Sequence, residues 1–285
     1  MIFDAALGAS SLSWTLVQPA VARVTRACAY DRAGFGWSDA GPLPRTAGRI
    51  AGELSRLLAA GGVPPPYLLV GHSFGALVSR ALAPRLAGAL AGAVFVEPAH
   101  PEEWLEPAEE DRRQIARGVR LCRYGAGAAR IGAARLVAAL AALGALAPAR
   151  ALVALISRGG LSRADEEILA PVWKLPPDAR RPLRRFWTEP RFFEALGSQI
   201  GAISESAREA QGAGFDALAH LPVTVVASPG LGGRRLALHA ELAARSSAGR
   251  LVMARTGGHW VPLDDPDTIV AAVSDIVQRF RLEAP

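Results

Sequence analysis

The stretch Tyr67-Leu68-Leu69-Val70-Gly71-His72-Ser73-Phe74-Gly75 indicates more about the fold than any other part of the chain. Its first four residues are apolar and predict a buried strand, and the residues after it have the composition of a helix. The pattern Gly-x-Ser-x-Gly joins the two in a turn so tight that only small residues fit two positions before and after the serine. We therefore predict that Ser73 lies in strained backbone geometry with its hydroxyl exposed at the end of the strand. The other interpretation of the pattern is a glycine-rich surface turn.

A glycine-rich loop near the C-terminus places a histidine after the last predicted strand. Gly257-Gly258-His259-Trp260 follows the apolar segment 250–254 and precedes Asp264-Asp265-Pro266, a pattern typical of the start of a helix. A histidine on such a loop can take the hydroxyl proton of a serine at the same edge of the sheet. We predict that His259 is this general base. The alternative interpretation is that His259 is an ordinary surface residue of the loop.

A third motif completes a resemblance to a known family. The segment 30–39, Tyr-Asp-Arg-Ala-Gly-Phe-Gly-Trp-Ser-Asp, resembles the D-x-x-G-x-G-x-S loop of the α/β-hydrolase superfamily. Together with the Gly-x-Ser-x-Gly turn and the later histidine, it extends the resemblance over nearly all of the chain outside its middle. In that family the loop mostly shapes the rim of the sheet, so Asp31 and Arg32 are not predicted to be catalytic.

The resemblance implies the architecture. It is an α/β fold, a mostly parallel central sheet flanked by helices, with a helical lid inserted between strands six and seven. It implies a core domain from residues 1–97 and 222–285 and a lid from residues 98–221. The chain starts within the strand that lies near the middle of the family's sheet, so we expect the strands before it to be missing and favour an N-terminal extension. A chain that begins at Met1 would then fold marginally, and a degraded gene product is a further interpretation.

The position that usually holds the catalytic acid in this family is empty here. Family members commonly carry an aspartate after the seventh strand, which corresponds to residues 223–227. The next residues run from Ser228 to Arg235 without a carboxylate, and the first one is Glu241, inside the next predicted helix.

The turn after the sixth strand offers a carboxylate instead. Glu97 follows Val96 directly, and a minority of the superfamily carries its acid on this turn. A carboxylate there can accept the Nδ1 proton of His259 and stabilise the imidazolium. We predict Glu97 as the acid. In the alternative interpretation, Glu97 caps or forms a salt bridge at the start of the lid, and the catalytic acid is Asp216 or is missing. Glu241 is the next candidate for the acid.

Two backbone amides are predicted to form the oxyanion hole. One is the N–H of Phe74, the residue after the nucleophile. The other comes in the family from a loop that often reads His-Gly, and the matching stretch here is Ala5-Ala6-Leu7-Gly8. Because the donor is a main-chain amide, we carry the role over to Leu7.

The remaining pattern fits a parallel α/β core. The chain has 285 residues, of which 51% are hydrophobic, enough for one large core and an insertion. Short apolar strands alternate with helices, as parallel sheets require. Strands are predicted over residues 23–30, 67–70, 92–96, 223–227 and 251–254, and helices over residues 13–22, 46–60, 74–87, 236–244 and 267–280.

Charge and composition exclude several classes of function. The net charge is +6, but nearly all cations are arginine and no nucleic-acid reader motif is present, so no nucleic-acid partner is predicted. The spacing of Cys and His predicts no metal site, and no cofactor motif is found.

The sequence predicts a cytoplasmic protein. There is no signal-peptide pattern, and the longest uncharged apolar stretch, 136–149, is too short to span a bilayer.

The predicted lid is basic and apolar. Ten arginines and no acidic residue lie between Arg112 and Arg163. Such a surface could make weak contact with an anionic membrane. Aromatic side chains of the lid are candidates to line a substrate pocket or to pack on the core: Phe186, Trp187, Phe192 and Phe193.

These features predict a serine hydrolase. Ser73, His259 and Glu97 would cleave a carboxylic ester or a related acyl bond of a small molecule with an apolar group, through an acyl-enzyme and without a cofactor. The alternative is a non-catalytic small-molecule-binding member of the same fold, which the missing aspartate and the altered oxyanion loop favour. No oligomeric state is predicted.

Overall fold

The strands of the chain form a six-stranded parallel sheet in a computed structural model that describes residues 1–157, 170–211 and 215–283. They are β1 (Ile2–Asp4), β2 (Cys28–Ala29), β3 (Tyr67–His72), β4 (Leu90–Val96), β5 (Pro222–Ala227) and β6 (Ala248–Met253). Their order is β2-β1-β3-β4-β5-β6, and each neighbouring pair is parallel. The predicted α/β fold with a mostly parallel sheet is therefore confirmed.

Helices flank this sheet and build the insertion. Those before β4 are α1 (Gln18–Val21), α2 (Ala47–Ala60) and α3 (Phe74–Leu82). Those between β4 and β5 are α4 (Pro101–Trp104), α5 (Glu109–Arg130), α6 (Ala133–Ala142), α7 (Leu146–Ser157), α8 (Pro171–Lys174), α9 (Pro177–Phe186), α10 (Pro190–Gly201) and α11 (Ile203–Gln211). Those after β5 are α12 (Gly233–Ala244), α13 (Val261–Asp264) and α14 (Pro266–Glu283), and short 3-10 helices cover Ser11–Trp14, Ala83–Leu86 and Asp216–Leu218.

The sheet is covered on both faces, which is why its central strands are continuously apolar. Every residue of β3 is buried. One face packs against α2, α3 and α12, where Leu77 and Leu242 are fully buried. The other face packs against α14 and the first 3-10 helix, where Trp14 and Val273 are fully buried. Parallel strands between two helical layers need apolar side chains on both sides.

The parallel order brings the carboxyl ends of the strands to one edge of the sheet. Ser73 follows β3, Glu97 follows β4, and Ser228 follows β5. Leu7 lies in the loop after β1, and His259 lies in the loop between β6 and α13. Ligands of open α/β sheets bind at this edge, so the topology gathers the predicted site residues where chemistry is expected.

Two elements near the N-terminus are shorter than predicted. The strand expected over residues 23–30 is reduced to Cys28–Ala29, because β2 is an edge strand and its neighbour β1 offers only three residues. The helix expected over residues 13–22 is divided into a 3-10 helix and α1. Pro19 lies in the first turn of α1. Because proline has no N–H, it cannot donate the hydrogen bond that would continue a helix from the preceding residues.

The residues between β4 and β5 lie in the predicted lid, 98–221. Residues 158–169 and 212–214 of this range, with Arg158 and Arg163 of the basic segment, lie outside the described residues. Helices α5 and α10 approach each other closely: a Cβ added at Gly125 would lie 2.4 Å from the ring of Phe193. Helix α6 has no buried residue.

Within the described ranges, no single helix has both the length and the apolar character needed to cross a bilayer. Helices α5 and α6 meet that requirement only when they are taken together, and their axes are bent by 87° at the junction.

Candidate active site

Ser73 lies at the sharp turn between β3 and α3. Its backbone has φ 52° and ψ −115°, a strained conformation for a residue other than glycine. A Cβ added at Gly71 would lie 2.6 Å from the backbone oxygen of Gly75, and one at Gly75 would lie 2.4 Å from the backbone oxygen of Asp4. Glycine is therefore required on both sides of Ser73, because the start of α3 rests directly on β1 and β3. Ser73 is half-buried, and its side chain makes no hydrogen bond that caps α3.

We expect Gly75→Ala to destabilise the fold by about 1–3 kcal/mol, because the added methyl group would collide with the backbone oxygen of Asp4. Chemical denaturation would measure the loss. The matched control is Gly127→Ala on α5, where a Cβ has nothing within 4 Å and alanine favours the helix by up to about 1 kcal/mol. Equal losses in the two variants would contradict the steric explanation.

His259 is held in place by His72, the residue before Ser73. His72 is fully buried, and its Nε2 donates to the backbone oxygen of His259 at 2.7 Å. The pKa of His72 is lowered well below 6.5, first by burial and second by the nearby His259, so that the ring stays neutral. The rings of His72 and His259 have centroids 5.0 Å apart, and 21% of the His259 side chain is exposed. Sequence reasoning missed this role of His72, because no local pattern signals it.

Glu97 is the carboxylate that faces His259. Its Oε2 lies 3.8 Å from His259 Nδ1, and only 2% of its side chain is exposed. Its Oε1 accepts a hydrogen bond from the N–H of Ser228 at 2.6 Å. Its backbone has φ 45°, which turns the chain sharply after β4. The turn after β5, which lacks a carboxylate, therefore contributes a backbone amide instead. This amide, of Ser228, anchors the carboxylate of Glu97 at the end of β4.

The surroundings of Glu97 favour its ionised form. Burial acts to raise the pKa of Glu97, but the interactions with His259 and with the Ser228 amide outweigh it, so that the pKa lies below 4.5. The alternative acids of the sequence are solvent-exposed: Asp216 lies on the third 3-10 helix and Glu241 on α12. Among the described carboxylates, Glu97 is thus the one that forms an ion pair with His259.

The two predicted oxyanion amides are both available. The N–H of Phe74 belongs to the first turn of α3, where amides have no partner within the helix. In the loop after β1, the N–H of Gly8 donates to Oε1 of the fully buried Gln199, at 3.4 Å. The N–H groups of Leu7 and Phe74 have no hydrogen-bond partner in the part of the chain that the structure describes. Gln199, which sequence reasoning missed, anchors this loop to α10.

The predicted pocket aromatics divide into two groups. Phe186 packs edge-on against Trp37, with ring centroids 4.7 Å apart, and Phe192 packs in the same way against Phe35 at 5.7 Å. These two side chains attach α9 and α10 to the loop at residues 30–39. Trp187 packs against Phe192, with ring centroids 5.8 Å apart, and also lines a narrow cavity beside the loop after β1.

That cavity has a volume of only about 10 Å³. Trp260, the residue after the predicted base, lines it together with Leu12, Leu175, Leu183 and Trp187. None of the three leucines was predicted to line a pocket, because they carry no chemical motif. The residues around α8 and α9 therefore pack closely against the loop after β1 and against the loop that carries His259.

A wider cleft of about 660 Å³ lies elsewhere on the lid. Its lining is mostly charged and polar and contains none of the predicted site residues: Arg135, Arg185, Thr188, Glu189, Pro190, Arg191 and Glu194. We assign it no part in chemistry at Ser73.

Comparison with known protein sequences gives short but clear matches. An AB hydrolase superfamily protein of Gibberella zeae is 40% identical over 100 residues, which cover 34% of this chain and 31% of that protein. The uncharacterized protein YqjL of Bacillus subtilis is 36% identical over 99 residues, which cover 35% of this chain and 39% of that protein. The chain thus spans about a third of the length of the curated relatives it matches.

Comparison with solved structures covers almost the whole chain. A thermophilic esterase from Thermogutta terrifontis has a TM-score of 0.64 at 16% identity, covering 98% of this chain and 89% of that one. A proposed epoxide hydrolase from Pseudomonas aeruginosa has a TM-score of 0.68 at 17% identity, covering 99% and 89%. At these identities the likeness shows the fold alone.

A family model described as alpha/beta hydrolase fold matches residues 2–152, more than half of the 285 residues. This match agrees with the parallel sheet and with the turn that carries Ser73, and it supports hydrolase activity in general. The chain therefore belongs to the alpha/beta hydrolase fold family.

Proposed function

We propose that the chain is a serine hydrolase that cleaves a carboxylic ester or a related acyl bond through an acyl-enzyme. The observation that carries this proposal is the arrangement of Glu97 and His259 at the edge where Ser73 emerges. The carboxylate is buried, is anchored by the Ser228 amide and lies 3.8 Å from His259 Nδ1. A buried carboxylate, a histidine and a strained serine at the carboxyl ends of parallel strands are the parts that acyl transfer requires.

In this mechanism the Ser73 hydroxyl attacks the carbonyl carbon while His259 takes its proton. Glu97 stabilises the resulting imidazolium, and the amides of Phe74 and Leu7 donate hydrogen bonds to the developing oxyanion. The tetrahedral intermediate collapses, and the leaving alcohol departs with the proton from His259. Water then attacks the acyl-enzyme with the same assistance, which releases the acid and restores Ser73.

Apolar side chains beside the loop after β1 support a small substrate with an apolar group. Four of these side chains line the narrow cavity there, to which Ser73 and His259 do not contribute: Trp187, Trp260, Leu175 and Leu183. Their cavity of about 10 Å³ is comparable to the space occupied by one water molecule. A substrate group that packs on these side chains therefore needs α8 and α9 to move away from the loop after β1.

Fluorophosphonate labelling of the purified protein tests this proposal, followed by intact-mass measurement and peptide mapping. We expect a single adduct on Ser73, and hydrolysis of p-nitrophenyl esters that depends on the length of the acyl chain. A protein that unfolds cooperatively but takes up no label would contradict the proposal. It would favour the non-catalytic binding protein, for which the replacement of His-Gly by Ala5-Ala6 in the oxyanion loop is the supporting observation.

A further inference from the structure

A buried arginine connects the two backbone segments that supply the oxyanion amides. Arg32 lies in the loop after β2 and is 3% exposed, and Asp4 at the end of β1 is 2% exposed. Nε and Nη2 of Arg32 donate to Oδ1 of Asp4 at 2.8 and 2.5 Å. The hydroxyl of Tyr30 donates to Oδ2 of the same carboxylate at 2.9 Å. Asp4, which is itself held by Tyr30, thus keeps the guanidinium in one orientation.

The same guanidinium binds the loop that leads to Leu7. Nη1 of Arg32 donates to the backbone oxygen of Ala6 at 3.1 Å, and Nη2 donates to the backbone oxygen of Ala5. The carbonyl of Ala6 and the N–H of Leu7 belong to one trans peptide group, in which they point in opposite directions. The N–H of Ala9 donates to the same oxygen at 3.2 Å, so Arg32 and Ala9 together set the direction of the Leu7 N–H. The contact with Arg32 also polarises the peptide group, which makes that N–H a stronger donor.

Arg32 also contacts the second oxyanion residue. Its Cζ lies 5.0 Å from the centroid of the Phe74 ring, a cation–π distance. Phe74 is 1% exposed, so this contact is shielded from water. One side chain thereby links the loop after β1 to the first residue of α3.

We propose that Arg32 is a positioning residue that orients the Leu7 amide toward the oxyanion and holds the Phe74 ring against the same loop. This inference rests on the proposed function. Arginine suits the role because its planar fork serves the Asp4 carboxylate and two carbonyls at once while its face stacks on an aromatic ring. A lysine has a single ammonium group and cannot make all of these contacts.

The test compares Arg32→Met and Arg32→Lys with a matched control, Arg45→Met. Arg45 is fully buried and pairs with Glu53 at 2.7 and 2.5 Å, but it has no contact with the oxyanion loop among the contacts that the structure describes. We expect Arg32→Met to lower kcat about 10–100-fold with KM within about threefold, since removing one oxyanion donor outright costs about 10²–10³ in kcat. Arg32→Lys should fall between Arg32→Met and the wild type. Arg45→Met should lower thermal stability and leave kcat per folded molecule unchanged.

Two further measurements separate positioning from folding. The affinity for a trifluoromethyl ketone, whose adduct carries the oxyanion, should fall by the same factor as kcat. Hydrogen exchange of residues 4–9 should become faster in the Arg32 variants and stay unchanged in Arg45→Met. Arg32→Met leaves the Asp4 carboxylate without its arginine partner. If that variant does not fold, the double variant Asp4→Asn/Arg32→Met, which removes both buried charges, is used in its place.

Three outcomes would overturn the inference. The first is that two variants both keep a kcat within about threefold of the wild type: Arg32→Lys, and either Arg32→Met or the double variant that replaces it. Another is a loss of kcat in Arg45→Met equal to that in Arg32→Met, which would make the role purely structural. The third is unchanged exchange of residues 4–9. A wild-type protein that neither turns over esters nor takes up fluorophosphonate would instead overturn the proposed function, and the exchange data would then decide whether Arg32 orders the loop.

Discussion

Replacing Ser73 with alanine is expected to reduce ester turnover about 10⁴–10⁶-fold and to abolish labelling by fluorophosphonates. The variant keeps the backbone and removes only the oxygen that attacks the carbonyl carbon, so no acyl-enzyme can form. The residual rate would come from the Leu7 and Phe74 amides and from substrate binding. Steady-state kinetics with a p-nitrophenyl ester and intact-mass analysis would measure both effects.

The matched control for this variant is Ser79→Ala. Ser79 lies on the same helix, α3, and is 3% exposed, but it is more than one turn away from the strained residue. We expect Ser79→Ala to retain turnover and labelling. A Ser73→Ala protein that is labelled or hydrolyses esters as fast as Ser79→Ala would contradict the assignment of the nucleophile.

The second large effect is expected for Glu97→Gln, which should lower kcat about 10²–10⁴-fold. The glutamine oxygen can still accept the hydrogen bond from the Ser228 N–H, so the turn after β4 should be preserved. With that oxygen turned to Ser228, the NH2 group faces His259, where it cannot accept a hydrogen bond from Nδ1–H or balance the charge of the imidazolium. Measuring kcat together with the thermal midpoint would separate the loss of chemistry from a loss of folding.

The pH dependence of stability provides a second readout for Glu97. Because the folded state lowers the pKa of Glu97 below 4.5, the ionised carboxylate stabilises the fold at pH values above 4.5. This contribution is lost as the pH falls through the lowered pKa of the folded state. The free energy of unfolding should therefore depend less on pH in acid for Glu97→Gln than for the wild type.

Neighbouring and alternative carboxylates serve as controls for Glu97. Glu102 lies in α4, close to Glu97 in the sequence, and is exposed to solvent. The variant Glu102→Gln should therefore behave like the wild type. The alternative acids predicted from the sequence can be tested by Asp216→Asn and Glu241→Gln, which should retain activity. A loss of activity in either of these variants, combined with an active Glu97→Gln, would assign the acid elsewhere.

The fold class could be predicted from local patterns, because a buried parallel sheet imposes them. Strands β3, β4 and β5 need apolar residues on both faces, and the predicted segments differ from them by at most two residues at either end. The elements that were predicted wrongly, at residues 13–22 and 23–30, depend on a proline and on the length of a neighbouring strand. Pairing between β1 and β2 is a tertiary property that no pattern within residues 23–30 reveals.

The sequence by itself determined the strand–turn–helix around Ser73, since glycines two positions before and after the serine are required by contacts within a few residues and with β1. It also placed Glu97 and His259 as candidates, but it left Asp216 and Glu241 open. Only the tertiary structure decided which carboxylate is buried against His259, because that depends on β4 and β5 lying side by side.

The same limit applies to the groups that support the site. The hydrogen bond from Ser228 to Glu97 joins residues 131 positions apart, and the one from Arg32 to Ala6 joins residues 26 positions apart. Local sequence patterns describe neighbours along the chain, whereas these contacts arise from the packing of distant segments. The chain alone thus determined the fold class and the candidate nucleophile, and the three-dimensional packing decided how the acid, the histidine and the oxyanion amides are held.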